Sequence, residues 1–361
     1  MTSDGRLVYI GTYTQGDSKG IYVCRLDMSS GELRPGGIAG QVDNPSYLAI
    51  DDGRDRLYAV NELMEFNGRA GGGVSSFAID AASGQLSLIN QQPSGGGAPC
   101  YLTLDKDGRY LLAANYMGGN VAVIPVSPDG VLEEPSDIVA HSGSSLHPKR
   151  QAGPHPHSIV LDPAGDYVFV PDLGLDKVMR YQLNRGTGRL EANQPPWTEV
   201  EAGSGPRHLV FHPNGEHAYL INELNSTITA LAYDAASGGL EVIQTMSTLP
   251  AGYSGANIAA DLHLTPDGRF LFGSNRGHDS IAVFAVDQKG GRLRHVGFIE
   301  TQGRTPRGFA IDPSGTYLLA ANQDSHSVVS FKIDKERGMV TPTGHTVHIP
   351  SPVCLKFRRR S

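Results

Sequence analysis

The stretch GPRHLVFHPNGEHAYLINELNST, residues 205–227, sets Arg207 and His208 directly after a proline and Glu223 directly after an asparagine. An arginine can bind a planar anion or steady a developing oxyanion. A carboxylate can take a proton from water. The same residue types recur in the same settings: Arg276 follows an asparagine in SNRGHDS, Arg307 follows a proline in TPRGF, and His157 follows the proline of HPH. Whether these groups can act together depends on the elements that carry them.

Those elements repeat. The template is P-x-x-apolar, two residues, D/H/T-x-x-G, then an aromatic-aliphatic run ending in Asn or Asp. It occurs as NPSYLAIDDGRDRLYAVNE, APCYLTLDKDGRYLLAANY, HPHSIVLDPAGDYVFVPDL, GPRHLVFHPNGEHAYLINE, IAADLHLTPDGRFLFGSNR and TPRGFAIDPSGTYLLAANQ. The anchor positions are Pro45, Pro99, Pro156, Pro206, Ala259 and Pro306, and they lie 47 to 57 residues apart. Each copy is followed by another period-two run, such as STITALAYD or SIAVFAVD, and then by a more variable strand signal. This predicts four strands per repeat and no helix, which is the pattern of propeller blades. The C-terminal SPVCLKF places Pro352 at one further anchor, while RLVYIGTY, GIYVCRLD and GELRPGG at the start supply the three outer strands of that copy. The expectation is an all-β, seven-bladed propeller forming a single domain over 1–361, its last blade closed by both termini. Such closure removes exposed sheet edges.

In an antiparallel hairpin, the start of the first strand and the end of the second share one end. Residues after the anchor (His157, Arg207, Arg307) and after the second strand (Glu62, Tyr116, Glu223, Arg276, Gln323) should therefore meet around one channel mouth. Charges brought inward cost stability unless paired or ligand-bound. Glu223 could pair with Arg207 within its own blade or act chemically. One of Arg276 and Arg307 could clamp a loop, although together they suit an anionic ligand. His155 precedes a proline and can shape the strand entry. His208 and His263 are expected to hydrogen-bond between blades. Tyr116 and Glu62 are expected as pocket walls. His155, His157, His208 and Glu223 could be read as metal ligands, but HPH alone does not supply ligand spacing, so neither metal nor cofactor is expected. MEFNGRAGGGVSS follows a strand without opening a helix and reads as a loop.

The formal charge of −7 and the absence of a basic stripe argue against a nucleic-acid partner. Arg358, Arg359 and Arg360 read as a solvated tail. No apolar run reaches the length of a membrane span, and the opening lacks a leader pattern. Cys24, Cys100 and Cys354 show no CxxC spacing, so buried reduced thiols in a cytoplasmic protein are expected. A propeller that merely docks a partner should show aromatic anchors; aromatics are 7% of the chain and Trp197 is its one tryptophan.

The motifs PRH…NEL, SNRGHDS, TPRGF and HPHSIVLDP, with the opening YIGTYT and closing SPVCLKF, resemble the seven-bladed propeller lactonase family over essentially the whole chain. That family includes propeller-type 6-phosphogluconolactonases and fungal carboxymuconate cyclases. DLH at Asp261 to His263 departs from it, since many members carry a glutamate there. The resemblance implies catalytic roles for His157, Arg207, Glu223 and Arg276. Arg307, His155, His208, Tyr116, Glu62 and Gln323 would contact a small anionic lactone. It also implies carbohydrate metabolism of the pentose phosphate pathway, in a monomer or weak homodimer. Hydrolysis of 6-phosphogluconolactone is the expected reaction, with a lactone-forming cyclase as the alternative. Glu223 and His157 both qualify as the base.

Overall fold

The structure, a computed structural model, describes residues 5–359. Residues 1–4, part of the opening read for a leader, and Arg360 of the basic tail lie outside the described residues. Seven four-stranded antiparallel sheets follow one another around a ring. Blade 1 spans residues 48–93, blade 2 99–140, blade 3 160–199, blade 4 206–247, blade 5 258–300 and blade 6 306–348. Blade 7 joins Pro352–Phe357 as its innermost strand to Gly5–Thr12, Gly20–Asp27 and Leu33–Gln41. The split blade and the strand order expected from the repeat are thus both present.

The repeat builds each hairpin from local chemistry. Asp162 Oδ1 accepts the N–H groups of Asp166 and Tyr167, both at 2.7 Å, and Asp312 Oδ1 does the same for Thr316 and Tyr317. The template glycine then takes a left-handed conformation, as at Gly215 and Gly268, each with φ near 72°, which favours glycine. At the opposite end of the hairpin, the residue before the anchor accepts a hydrogen bond from the residue after the second strand. Glu223 N–H donates to the Gly205 carbonyl at 2.7 Å; Glu62 does so to Asn44, Tyr116 to Ala98, Leu173 to His155 and Gln323 to Thr305, each at 3.0 Å. This recurring bond draws the two chemistry-bearing positions of a repeat together.

A second recurring device is a bulge immediately after the anchor. The ladder skips one residue at Cys100, Arg207 and Arg307, and skips Ala260 and Asp261 in blade 5. A bulged residue leaves the ladder and its side chain is re-aimed, which is how a sheet presents a group at its rim.

Apolar faces of neighbouring blades fill the space between them. Tyr219 and Ile221 of blade 4 pack with Leu271 and Phe284 of blade 5; Val8, Ile10 and Leu355 of blade 7 pack with Leu319 and Val347 of blade 6. Two details differ from the sequence reading. The segment read as a loop carries a two-stranded ribbon, Glu65–Phe66 with Arg69–Ala70, because the turn Asn67-Gly68 lets the chain fold back on itself. Arg358 is not a solvated tail: it is buried, its guanidinium pairs with Asp55, and its N–H donates to the Leu7 carbonyl, so it fastens the chain end to blades 7 and 1. Only Arg359 of the described tail is exposed.

If the C-terminal strand carries ring closure, Leu355→Ala should cost about 2–5 kcal/mol through the cavity it leaves. The expected result is a clear fall in the urea midpoint. A midpoint shifted by less than the equivalent of about 1 kcal/mol would show that the ring does not depend on this strand.

Candidate active site

Glu223 is buried and lies at the centre of a cluster of cations. Arg207 Nε donates to its Oε2 at 3.0 Å and Arg276 Nη2 donates to the same oxygen at 2.8 Å. Arg150 Nη2 donates to Oε1 at 2.5 Å. His157 Nε2 stands 3.8 Å from Oε2. Burial pushes the Glu223 carboxyl up, but the Arg276, Arg207 and Arg150 guanidinia together outweigh it and hold the group well below the usual carboxylate range. Backbone carbonyls fix two of these arginines: Arg207 Nη1 donates to Ala260 O at 2.5 Å and Arg276 Nη2 to Ala259 O at 3.0 Å.

His157 is enclosed. Its Nδ1 lies 3.6 Å from Cys100 Sγ, and the rings of Tyr116 and His208 meet it edge-on at 5.2 and 5.5 Å. Burial, with Arg207 beside it, pulls its pKa well below the ordinary histidine value, so the ring is neutral at neutral pH. Cys100, read as core, is buried but faces the channel beside His157. The order Cys100–His157–Glu223 mimics a nucleophile, base and orienter. Burial, reinforced by Glu62, pushes the thiol up far beyond its usual range, and the thiol donates to the His157 carbonyl at 3.4 Å, so thiolate chemistry is disfavoured.

A second chain of bonds supports Arg207 from below. Asp261 accepts from His208 Nδ1 at 2.9 Å, from His263 Nε2 at 3.1 Å and from the Phe309 N–H at 3.2 Å. With His208 Nδ1 donating to Asp261, its Nε2 can accept from Arg207 Nη1 at 3.2 Å. His208 is therefore a support for Arg207 that bridges blades 4 and 5, as expected between blades. His263, by contrast, bonds within its own strand to Asp261 and lines the wide cavity at the other end of the channel with Tyr47, Tyr101 and Lys356, because residues two apart on a strand share a face.

The remaining expected residues divide. Tyr116 stacks on His155 at 4.5 Å and accepts from Arg150 Nη2 through its hydroxyl at 3.2 Å; His155 Nδ1 donates to the Tyr116 carbonyl at 2.9 Å. Tyr116 thus stands beside the Arg150–Glu223 pair, with His155 stacked against it. Arg307 lines the channel with Arg207 and Cys100, and its guanidinium lies 5.4 Å from the ring centre of Tyr13. Among the described residues, no acceptor is hydrogen-bonded to that guanidinium. Tyr13 in turn donates to both oxygens of Glu62, at 3.1 and 3.0 Å. Gln323 opens a short 3-10 turn at the same end of blade 6, and among the described residues its side chain makes no bond to the cluster. His155 is committed to Tyr116 and Glu223 to arginines, and among the described residues no three His, Cys, Asp or Glu side chains are grouped to hold a metal.

Two residues were not singled out from the sequence. Tyr13 follows the second strand of the split blade, the template position that Glu62 and Glu223 occupy in theirs, so the repeat could have yielded it. Arg150 lies in SSLHPKRQAGPHPH, outside the template; its only signal is a basic pair inside the longest gap between anchors.

The chain as a whole matches a known group of proteins. The family described as "Lactonase, 7-bladed beta-propeller" matches residues 7–357. A 6-phosphogluconolactonase of Bacillus subtilis is 38% identical over 349 residues, covering 97% of both chains. One of Formosa agariphila is 34% identical, over 84% of this chain and 86% of the relative. The solved structure of a Pseudomonas aeruginosa periplasmic gluconolactonase is 39% identical and superposes with a TM-score of 0.93, over 98% of this chain and 99% of that one. This chain belongs to the seven-bladed β-propeller lactonase family.

Acid should loosen this cluster. His208 is brought down to about 3 by burial, with Arg207 adding to it and Asp261 opposing. In the unfolded chain it binds a proton near pH 6.5 and in the fold it does not, so stability is full above that value and falls with acidification towards about pH 3. Glu223, held low in the fold, adds a loss below the ordinary carboxylate range. The melting temperature is expected to drop as pH falls below about 6.5, with a shallower drop in His208→Gln. Equal slopes in the two proteins would contradict the buried neutral state of His208.

Proposed function

We propose that the chain hydrolyses a sugar lactone, 6-phosphogluconolactone to 6-phosphogluconate, at the mouth formed around Glu223. The observation that carries this reading is a buried carboxylate held ionised by three arginines, beside a fourth arginine, Arg307, whose fork has no hydrogen-bonded acceptor among the described residues. An excess of cations over carboxylates favours an anionic substrate and the oxyanion of acyl transfer. The relatives named 6-phosphogluconolactonase and gluconolactonase support lactone hydrolysis.

In this reading a water attacks the lactone carbonyl. Glu223 takes its proton through Oε1, the oxygen on the side of the half-exposed Arg150, while Oε2 stays anchored to Arg207 and Arg276. His157 is enclosed by Cys100, Tyr116, His208 and Glu223, which suits a positioning role better than direct contact with the attacking water. Arg307, expected from sequence to contact an anionic group of the substrate, sits with Cys100 and Arg207 inside the channel. There it is suited to the carbonyl oxyanion and then to the product carboxylate. Collapse of the tetrahedral intermediate breaks the ring C–O bond, and the ring oxygen leaves as the sugar hydroxyl with a proton from Glu223.

Turnover of 6-phosphogluconolactone, measured by pH-stat and corrected for spontaneous hydrolysis, should be fast in the wild type. Glu223→Gln should lower kcat by about 10²–10⁴-fold and Arg307→Ala by about 10²–10³-fold. Cys100→Ala should keep most of the activity. Loss of turnover in Cys100→Ala, with Glu223→Gln active, would instead indicate a thiol nucleophile.

A further inference from the structure

Arg150 differs from the other two arginines on Glu223. It comes from no blade strand but from the connection between Ala140 and His155. Its side chain is 35% exposed, against 2% for Arg207 and 10% for Arg276. Among the described residues no backbone carbonyl holds it; its partners are Glu223 Oε1 and the Tyr116 hydroxyl.

The loop beneath it, in contrast, is firmly held. Asp172 grips both ends: His141 Nδ1 donates to Oδ2 at 2.6 Å and the His155 N–H donates to Oδ1 at 2.7 Å. Asp176 takes the Ser145 hydroxyl at 2.5 Å and also the Gly205 N–H at 2.7 Å, tying the loop to the entry of the strand that bears Arg207. The neighbour of Arg150, Gln151, is fully buried and donates to the Leu173 carbonyl at 2.9 Å. A rigid loop therefore delivers one loose cation to the rim. In the present arrangement that cation covers Oε1, the oxygen that hydrolysis requires to be free.

We infer that Arg150 is a specificity-determining residue that exchanges Glu223 Oε1 for the phosphate of the substrate, so that binding a phosphorylated lactone uncovers the base. This rests on the lactonase reading. A phosphate at the far end of the sugar stays at the more solvated rim, where its charge costs least to place, while the ring lies inward towards Glu223 and Arg307. The guanidinium trades one charge-assisted bond for another of similar strength, so the exchange needs little net energy. Freed of one cation, Oε1 also becomes a better proton acceptor. An unphosphorylated lactone lacks the group that draws Arg150 away.

The test uses the full chain and two probes, 6-phosphoglucono-lactone and glucono-lactone, with wild type, Arg150→Ala and Arg150→Lys confirmed folded by thermal unfolding. In Arg150→Ala, kcat/KM for the phosphorylated lactone should fall about 10–100-fold, the worth of a hydrogen bond to a charged group, and much of the fall should appear in KM. The unphosphorylated lactone, for which Arg150 only covers Oε1, should be turned over unchanged or faster, so the preference for phosphate collapses; Arg150→Lys should restore part of it. Equal losses on both lactones would mean that Arg150 merely supports Glu223 and would overturn the inference, as would unchanged kinetics. A wild-type protein that accelerates neither lactone overturns the lactonase reading, and this inference with it.

Discussion

The site depends on keeping one carboxylate ionised out of water. A buried Glu223 alone would take up a proton or unfold the protein, because the desolvation of a lone ion costs several kcal/mol. Three guanidinia prevent this, and each is itself a buried or half-buried charge that needs the carboxylate. The dependence is mutual, so the groups must be delivered together from separate parts of the chain. Arg207 and Glu223 arrive from blade 4, Arg276 from blade 5 and Arg150 from the loop ahead of blade 3. A propeller suits this demand, because every blade points its innermost strand at the same axis.

Two backbone devices convert the repeat into a site. The bond from the residue after the second strand to the residue before the anchor closes each hairpin at the rim, and the bulge after the anchor turns one side chain out of the ladder. In other blades the same positions hold small or apolar residues, such as Val353 and Leu173. The scaffold is therefore uniform while the chemistry lies in a few side chains. The supporting bonds follow the same logic: Asp261 holds His208, His208 meets Arg207, and Arg207 holds Glu223, so a residue in blade 5 fixes the orientation of a carboxylate in blade 4.

Most of this was legible in the sequence because it is periodic. Hairpin geometry puts position 207 and position 223 at one end whatever the side chains are, and the split copy at the termini follows from counting anchors. The family resemblance implied catalytic roles for His157, Arg207, Glu223 and Arg276. What stayed hidden was not periodic. Arg150 lies in a connection whose path is set by Asp172 and Asp176, two carboxylates whose hydrogen-bond partners cannot be deduced from spacing. That His263 bonds to Asp261 of its own strand, and not to a neighbouring blade, could not be read from spacing across a bulge. The burial of Arg358 depends on Asp55 lying near the chain end across 303 residues of sequence. Gln323 shows the opposite error: the right strand end does not guarantee that a side chain joins the cluster.

The claim that the Glu223 cluster is where a sugar lactone is opened is tested most directly by a crystal structure with 6-phosphogluconate bound. The product's carboxylate is expected against Arg307 and beside Glu223, with its phosphate at the rim on the Arg150 side. A product bound instead in the cavity at the other end of the channel, among Tyr47, Tyr101 and Lys356, with the Glu223 mouth empty, would contradict the account.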